Sequence, residues 1–227
     1  MSKGMTLIEF MIGLLLGSLI MLSVSSIYIA VGSAYGSQRS DWLCMQSLRT
    51  AMLMINRDIE ECAYLLPQDL KVSCSSNRLF IAGLPATTDH DGLRVNSLYT
   101  PPYYSVVSSE YGDSIVMDTL DIDADNKPDY RAGYGIISDS GAFEIMQYYS
   151  KGNVTVPLKG GVPQAGDRTV PAVVYQMKED GLYRNGQLVS ENITSFSAVK
   201  SGSELNIKMR ATRNETIKEI SYNYNLG

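Results

Sequence analysis

The stretch Gly4-Met5-Thr6-Leu7-Ile8-Glu9-Phe10 opens the segment that decides the fold, because a run without charged residues follows it and continues to Gln38. The part from Phe10 to Val31 contains no Asp, Glu, Lys, Arg, His or Pro. About 22 residues, at about 1.5 Å each, form a helix of roughly 33 Å, enough to cross a hydrocarbon core of about 30 Å. The sequence therefore predicts a membrane-spanning helix at residues 10–31.

The short segment before this helix indicates its orientation. Lys3 is the single cation there, and cations favour the cytoplasmic side of a membrane. A secretory signal peptide carries its cleavage site after the apolar run, whereas the candidate site here, at Gly4, precedes the run. We therefore expect a cytoplasmic N-terminus and an extracytoplasmic folded domain after Val31.

Glu9 is the unusual residue of this segment. A carboxylate costs on the order of 2.5–3.5 kcal/mol near the bilayer centre and less near its edge, so an interfacial position is one interpretation. The block from Gly4 to Glu9 also resembles the class III signal of type IV prepilins, in which a peptidase cuts after the glycine and methylates the new N-terminus. The resemblance implies that Gly4 ends the leader, Met5 becomes the N-terminus and Glu9 serves assembly. Met5 departs from the usual Phe.

Charge pairing explains what Glu9 would do in a filament. An unpaired carboxylate and an unpaired amine are each costly in an apolar core, so pairing Glu9 with the N-terminal amine of a neighbouring subunit offsets both penalties and fixes the axial register. Gly13 with Gly17, and Gly32 with Gly36, form G-x-x-x-G patterns that allow close helix approach. The alternative is that membrane helices are simply rich in glycine.

An apolar stripe continues the helix beyond the membrane segment. We expect one helix of about 60 residues, roughly 90 Å long, that ends at Leu66 before Pro67. A membrane helix followed by a separate coiled-coil stalk is the alternative, although the stripe is short for that. The stripe, spaced by three and four residues, consists of Met45, Leu48, Met52, Ile55, Ile59 and Cys62. Polar residues mostly off this stripe are Arg49, Asn56, Arg57, Asp58, Glu60 and Glu61.

The remainder of the 227-residue chain predicts a β-rich domain. It is rich in tyrosine, with 15 Tyr against 4 Phe in the chain, and the formal net charge of -5 gives no indication of nucleic-acid binding. Asn185-Gly186 is a good hairpin signal, and we expect an antiparallel sheet in the last third. The predicted strands are 79–84, 114–120, 143–149, 172–177, 181–184, 193–200, 204–211 and 215–224.

Two stretches resemble PilW-like minor pilins. The first is the helix end, where Arg57-Asp58-Ile59 precedes Ala63-Tyr64, and the second is the leucine-rich segment 182–196, in which Glu191-Asn192 leads into a strand. Pseudopilin J of type II secretion shares much of this pattern. The resemblance implies an α+β, type IV pilin-like fold, with leader 1–4, long helix 5–66 packed on an antiparallel sheet, and globular domain 67–227.

An acidic loop between predicted strands is a candidate calcium site. Carboxylates at relative positions 1, 3, 5 and 9 can converge on one ion, and the Lys127 carbonyl can add an oxygen. Position 12 is Ala132, so this is not an EF-hand; the loop resembles compact Asp-rich calcium loops of extracellular proteins, including pilus-tip adhesins. A solvated acidic turn is the alternative. The expected Ca²⁺ ligands are Asp121, Asp123, Asp125, Lys127 and Asp129.

If two of the three cysteines form a disulfide, the third remains a free thiol. Cys62 and Cys74 are the expected pair, because their bond would tie the helix end to the returning segment. Cys44 cannot reach Cys62 along a continuous helix, where they are about 27 Å apart, so we expect Cys44 to be a buried apolar residue.

We expect no catalytic activity. His90 is the single histidine and lies in a loop-like stretch, and the sequence contains neither G-x-S-x-G nor Cys-x-x-Cys. A membrane-anchored periplasmic enzyme is therefore the most remote alternative.

The resemblance, together with the membrane-length helix and the β-rich domain, implies a minor pilin that primes or caps a type IV pilus. It would enter the inner membrane with its domain in the periplasm and then reach the pilus tip. Expected partners are other minor pilins, the major pilin, the prepilin peptidase, the inner-membrane assembly platform and a possible tip adhesin. The alternatives are a J-type pseudopilin and a calcium-dependent binding or adhesion protein at the tip.

Overall fold

The computed structural model describes residues 7–62, 66–75, 77–83, 104–122, 128–146 and 155–226. The chain forms one long helix, α1 (Leu7–Glu61), one short helix, α2 (Gln68–Lys71), and then a β-rich domain, so the architecture is α+β. The strands are β1 (Val72–Ser75), β2 (Arg78–Ala82), β3 (Ser105–Tyr111), β4 (Ser114–Met117), β5 (Gly135–Ser138), β6 (Gly141–Ile145), β7 (Thr155–Lys159), β8 (Arg168–Lys178), β9 (Gly181–Arg184), β10 (Gln187–Glu191), β11 (Ile193–Ser201), β12 (Glu204–Arg213) and β13 (Thr216–Asn225).

Helix α1 has two parts with different surroundings. Residues 7–39 are exposed on all sides, whereas from Ser40 onward one face is buried against the domain. The predicted stripe is confirmed, since Leu48, Met52, Ile55 and Cys62 are buried. The helix ends at Glu61, short of the predicted Leu66, where the Cys62 amide donates to the Ile59 carbonyl at 3.2 Å and so tightens the last turn.

The larger sheet is organised around β8. One edge of this 11-residue strand pairs with β2 and β3, and the other pairs with β5 and β9. The path from β8 through β3, β4, β7, β6 and β5 returns to β8, so these strands close on themselves. Strand β10 joins through β9 by the predicted Asn185-Gly186 turn, in which both residues have positive φ, 49° and 80°.

The last three strands form a separate antiparallel sheet in the order β11-β12-β13. Its inner face is apolar because alternate residues of β12 point inward, and Leu205, Ile207, Met209 and Ala211 are all buried. The sheet predicted for the last third of the chain is confirmed in this region.

Helix α1 lies along β13 on the inner face of this sheet. The Cys44 thiol approaches the Thr216 carbonyl at 4.0 Å, and the Tyr224 hydroxyl bonds Asn56. Contacts near the start of β13 therefore involve residues earlier in the helix than contacts near its end. The helix and the strand run in the same general direction, with the helix axis along the sheet.

Candidate functional site

The exposed part of α1 is the first feature that points to function. It is long and apolar enough to cross a membrane, and it is the one such helix in the part of the chain that the structure describes. Large apolar side chains along it are exposed, including Leu7 at 78% and Tyr28 at 79%. Water is a poor solvent for such a surface, so another apolar phase or another protein must cover it.

Four serine hydroxyls within this exposed segment are satisfied by the helix itself. They donate to carbonyls three or four residues earlier, so these four hydroxyls need no partner from outside the helix. These bonds measure 2.8–2.9 Å and involve Ser18, Ser23, Ser26 and Ser33. These four hydroxyls are therefore compatible with an apolar environment.

The glycines of α1 make no close packing contact with any other described residue. A Cβ atom added to Gly13, Gly17, Gly32 or Gly36 would meet nothing within 4 Å. Gly13 and Gly17 line a shallow groove on the helix surface with Phe10, Leu14, Ser18 and Met21. Glycine destabilises a helix by about 1 kcal/mol relative to alanine, and the open space at these glycines would allow another helix to approach closely.

Glu9 lies in the first turn of α1, on the exposed part of the helix. The N-terminal end of a helix carries a partial positive charge, which favours a carboxylate at this position. Gly4 and Met5, the expected processing site, lie outside the described residues, so processing stays a prediction.

A buried ion pair connects α1 to the larger sheet. Asp58, only 8% exposed, accepts two hydrogen bonds from the Arg184 guanidinium, at 2.7 Å from Nε and 2.9 Å from Nη2. The Tyr175 hydroxyl donates to the same carboxylate at 2.5 Å. We call Asp58, Arg184 and Tyr175 the helix latch. Sequence reasoning placed Asp58 among the polar residues off the buried stripe and so missed this role.

Burial and charge perturb both partners of Asp58. Burial raises the pKa of Tyr175, and the adjacent Asp58 carboxylate raises it further, so the phenol stays protonated and donates. Burial lowers the pKa of Arg184, but the hydrogen bond and charge of Asp58 more than offset this and the pKa is raised. Tyr175 and Arg184 therefore both act as hydrogen-bond donors to Asp58.

The described ends of the acidic loop are held together. The Asp129 amide donates to the Leu120 carbonyl at 2.8 Å, and the Ile122 amide donates to Asp129 Oδ2 at 2.6 Å. Asp129 is 6% exposed, and its carboxylate is therefore buried beside Ile122. Asp123, Asp125 and Lys127 lie outside the described residues. Among the residues that are described, no three His, Cys, Asp or Glu side chains form a metal-binding group, and the calcium site stays a prediction.

The structure does not contain the predicted Cys62–Cys74 disulfide, since all three cysteines are free. The Cys62 thiol instead donates to the Lys71 carbonyl at 3.3 Å. Burial raises the pKa of Cys62 to about 12 and that of Cys74 to about 11, so both remain protonated thiols. Cys44 is fully buried, as predicted for an apolar role.

Known proteins provide no further assignment for these features. No family model, no curated protein and no solved structure matches the chain.

Proposed function

We propose that this chain is a minor pilin, similar to PilW-like proteins, which assembles with other minor pilins to prime or cap a type IV pilus. The observation that carries the proposal is the division of α1: residues 7–39 expose an apolar surface, and the same uninterrupted helix then packs on a β domain. A subunit that moves from a membrane into a filament needs this combination, because the same apolar surface is covered first by lipid and then by neighbouring helices.

The proposed mechanism is assembly without catalysis. Cleavage after Gly4 creates a new amine at Met5, and Glu9 of one subunit pairs with that amine on its neighbour, which sets the axial register. The chain spans the inner membrane once, with residues 67–227 in the periplasm, and then moves to the pilus tip. Its partners are other minor pilins, the major pilin, the prepilin peptidase, the assembly platform and a possible tip adhesin.

The internally bonded serines and the glycines without close packing contacts to other described residues support this proposal. A permanent lipid anchor needs apolar length, but it does not need small residues spaced to admit another helix. The groove at Gly13 and Gly17 therefore favours a helix that exchanges lipid for protein neighbours.

Mass spectrometry of the N-terminal peptide tests the proposal most directly. In cells with the prepilin peptidase we expect an N-methylated Met5 as the first residue, and in cells without it an intact leader from Met1 to Gly4. A Gly4→Leu variant is the matched control and should stay uncleaved in both strains. An intact leader on the unmodified chain in both strains would contradict the assembly proposal and leave a membrane-anchored binding domain.

Deletion of the chain separates pilus assembly from type II secretion. Loss of twitching motility with secretion intact is the expected result, because the proposed filament is a pilus. Loss of secretion with motility intact would assign the chain to a J-type pseudopilin instead.

Calcium binding at residues 121–129 is a second proposed property of the tip. We expect Ca²⁺ to bind with a dissociation constant on the order of 10⁻⁴ M, typical of extracellular modules, and to raise the unfolding free energy by about 2.7 kcal/mol at a hundredfold excess over that constant. Thermal unfolding of the full-length protein in detergent, with Ca²⁺ or Mg²⁺, measures this.

Two variants test whether this loop is responsible for the calcium effect. Asp125→Asn should abolish the stabilisation by Ca²⁺, since it removes a proposed charged ligand, while the nearby Asp118→Asn should preserve it. An equal response to Mg²⁺, or an unchanged response in Asp125→Asn, would identify the loop as an ordinary acidic turn. Reduced adhesion at normal pilus number would support a binding role at the tip.

A further inference from the structure

The free edge of β13 has the properties of a strand-binding site. Strand β13 pairs with β12 over ten consecutive residue pairs without a register shift, and it has no strand on its other side among the described residues. It contains no proline. Natural edge strands are normally protected by bulges, prolines, charges or a covering element, because an open edge recruits other strands.

The turn before β13 determines which main-chain groups point outward. Asn214 and Glu215 form a two-residue turn between Arg213 and Thr216, so Arg213 and Thr216 form a hydrogen-bonded pair and every second pair beyond them does the same. The amides and carbonyls of the intervening residues therefore point away from β12. Four such residues are Ile217, Glu219, Ser221 and Asn223.

These outward main-chain groups have no hydrogen-bonding partner in the described parts of the chain. By contrast, an edge group of β1 is satisfied within the chain, since Lys200 donates to the Val72 carbonyl at 2.7 Å. The one lysine of β13, Lys218, forms an ion pair with Asp41 of α1 at 3.2 Å, so its charge does not protect the edge.

We infer that this edge accepts an extended strand from a different polypeptide. Alternating donors and acceptors along four outward residues match the main chain of another strand, which would hydrogen-bond at each of them. Tyr222 is 44% exposed on the helix-facing side and lies between two outward residues, so the incoming strand carries an apolar side chain opposite it. Glu219 is already paired with Arg210 at 2.9 Å and requires no opposite charge.

A second copy of this chain does not fit the edge in a shared membrane. Antiparallel pairing of two β13 edges places a twofold axis perpendicular to the sheet, which reverses every direction within the sheet plane. The axis of α1 is parallel to β13 and to the plane of the sheet. The two membrane-spanning segments would therefore point in opposite directions. Parallel pairing that continues the sheet with the same face forward would use the opposite edge of the second copy, which β12 occupies.

Photo-crosslinking of the full-length chain in its own membrane tests this inference. A benzophenone amino acid replaces Asn223 at the edge and, as a matched control, Lys208 on the outer face of the central strand β12. We expect Asn223 to crosslink to an extended segment of one different protein and Lys208 not to do so. Absence of a crosslink from Asn223, equal crosslinking from Lys208, or crosslinking to a second copy of β13 would overturn the inference.

Ser221→Pro is the decisive variant. Proline removes an outward amide and is tolerated on the open side of an edge strand, so it should abolish the crosslink, whereas Ser221→Ala should preserve it. Hydrogen exchange of the same variant checks the fold: slow exchange at Lys218 and Ile220 would show that β12 and β13 remain paired. A crosslink that survives Ser221→Pro would overturn the inference. The N-terminal processing experiment has no bearing on this result.

Discussion

Replacing Asp58 with alanine is expected to destabilise the protein by about 3–5 kcal/mol, because the substitution leaves the Arg184 guanidinium in a largely buried site without its carboxylate. The Tyr175 hydroxyl loses its acceptor at the same time. Urea unfolding of the full-length protein in mild detergent measures the effect as a lower midpoint with an unchanged slope.

Arg57 provides the control for this prediction. It lies next to Asp58 in α1, but its side chain is 62% exposed and pairs with Glu61 on the helix surface. Arg57→Ala should therefore change the free energy of unfolding by no more than about 0.5 kcal/mol. Equal midpoints for the two variants would contradict the role of the helix latch, and a cycle with Arg184→Met would isolate the coupling between the charges.

Glu9→Gln is expected to reduce pilus number by more than about tenfold, which corresponds to a cost above about 1.4 kcal/mol per assembled subunit. In the proposed filament the variant leaves a buried N-terminal amine of the neighbouring subunit without a carboxylate, and such losses cost several kcal/mol. Electron microscopy of pili and immunoblots of sheared filaments provide the measurement.

Two checks separate an assembly defect from a defect in processing or insertion. The N-terminal peptide of Glu9→Gln should still begin at a methylated Met5, and the chain should still be found in the membrane. Ser23→Ala is the matched control, because its hydroxyl bonds only the Leu19 carbonyl of its own helix among the described residues and it does not line the groove at Gly13 and Gly17. Normal pili with Glu9→Gln would exclude a register role for this carboxylate.

Local patterns explain which elements could be predicted from the sequence. The stripe of α1 and the alternation of β12 are visible because burial on one face repeats with the period of the element. The turn at Asn185-Gly186 could be predicted because few residues tolerate positive φ. The membrane-length segment was equally clear from its length and its lack of charge.

Interactions between distant segments explain what could not be predicted. Asp58 reads as an exposed helical carboxylate, and its partner Arg184 is 126 residues away, so no local signal reveals its burial. Strand β5 is short, begins with glycine and depends on β8, to which it pairs through residues far along the chain. The thiol of Cys62 is free and bonds the Lys71 carbonyl, a contact that no local signal in the sequence indicates.

The alignment of α1 with β13 also determines how the protein would bear a mechanical load. A pull on the domain along the helix axis acts parallel to the interface between helix and sheet, so the contacts from Cys44 to Asn56 and the helix latch are strained in shear and share the force. A pull across that axis would peel the same contacts apart one after another. The domain should therefore resist a pull along the axis of its helix better than a pull across that axis.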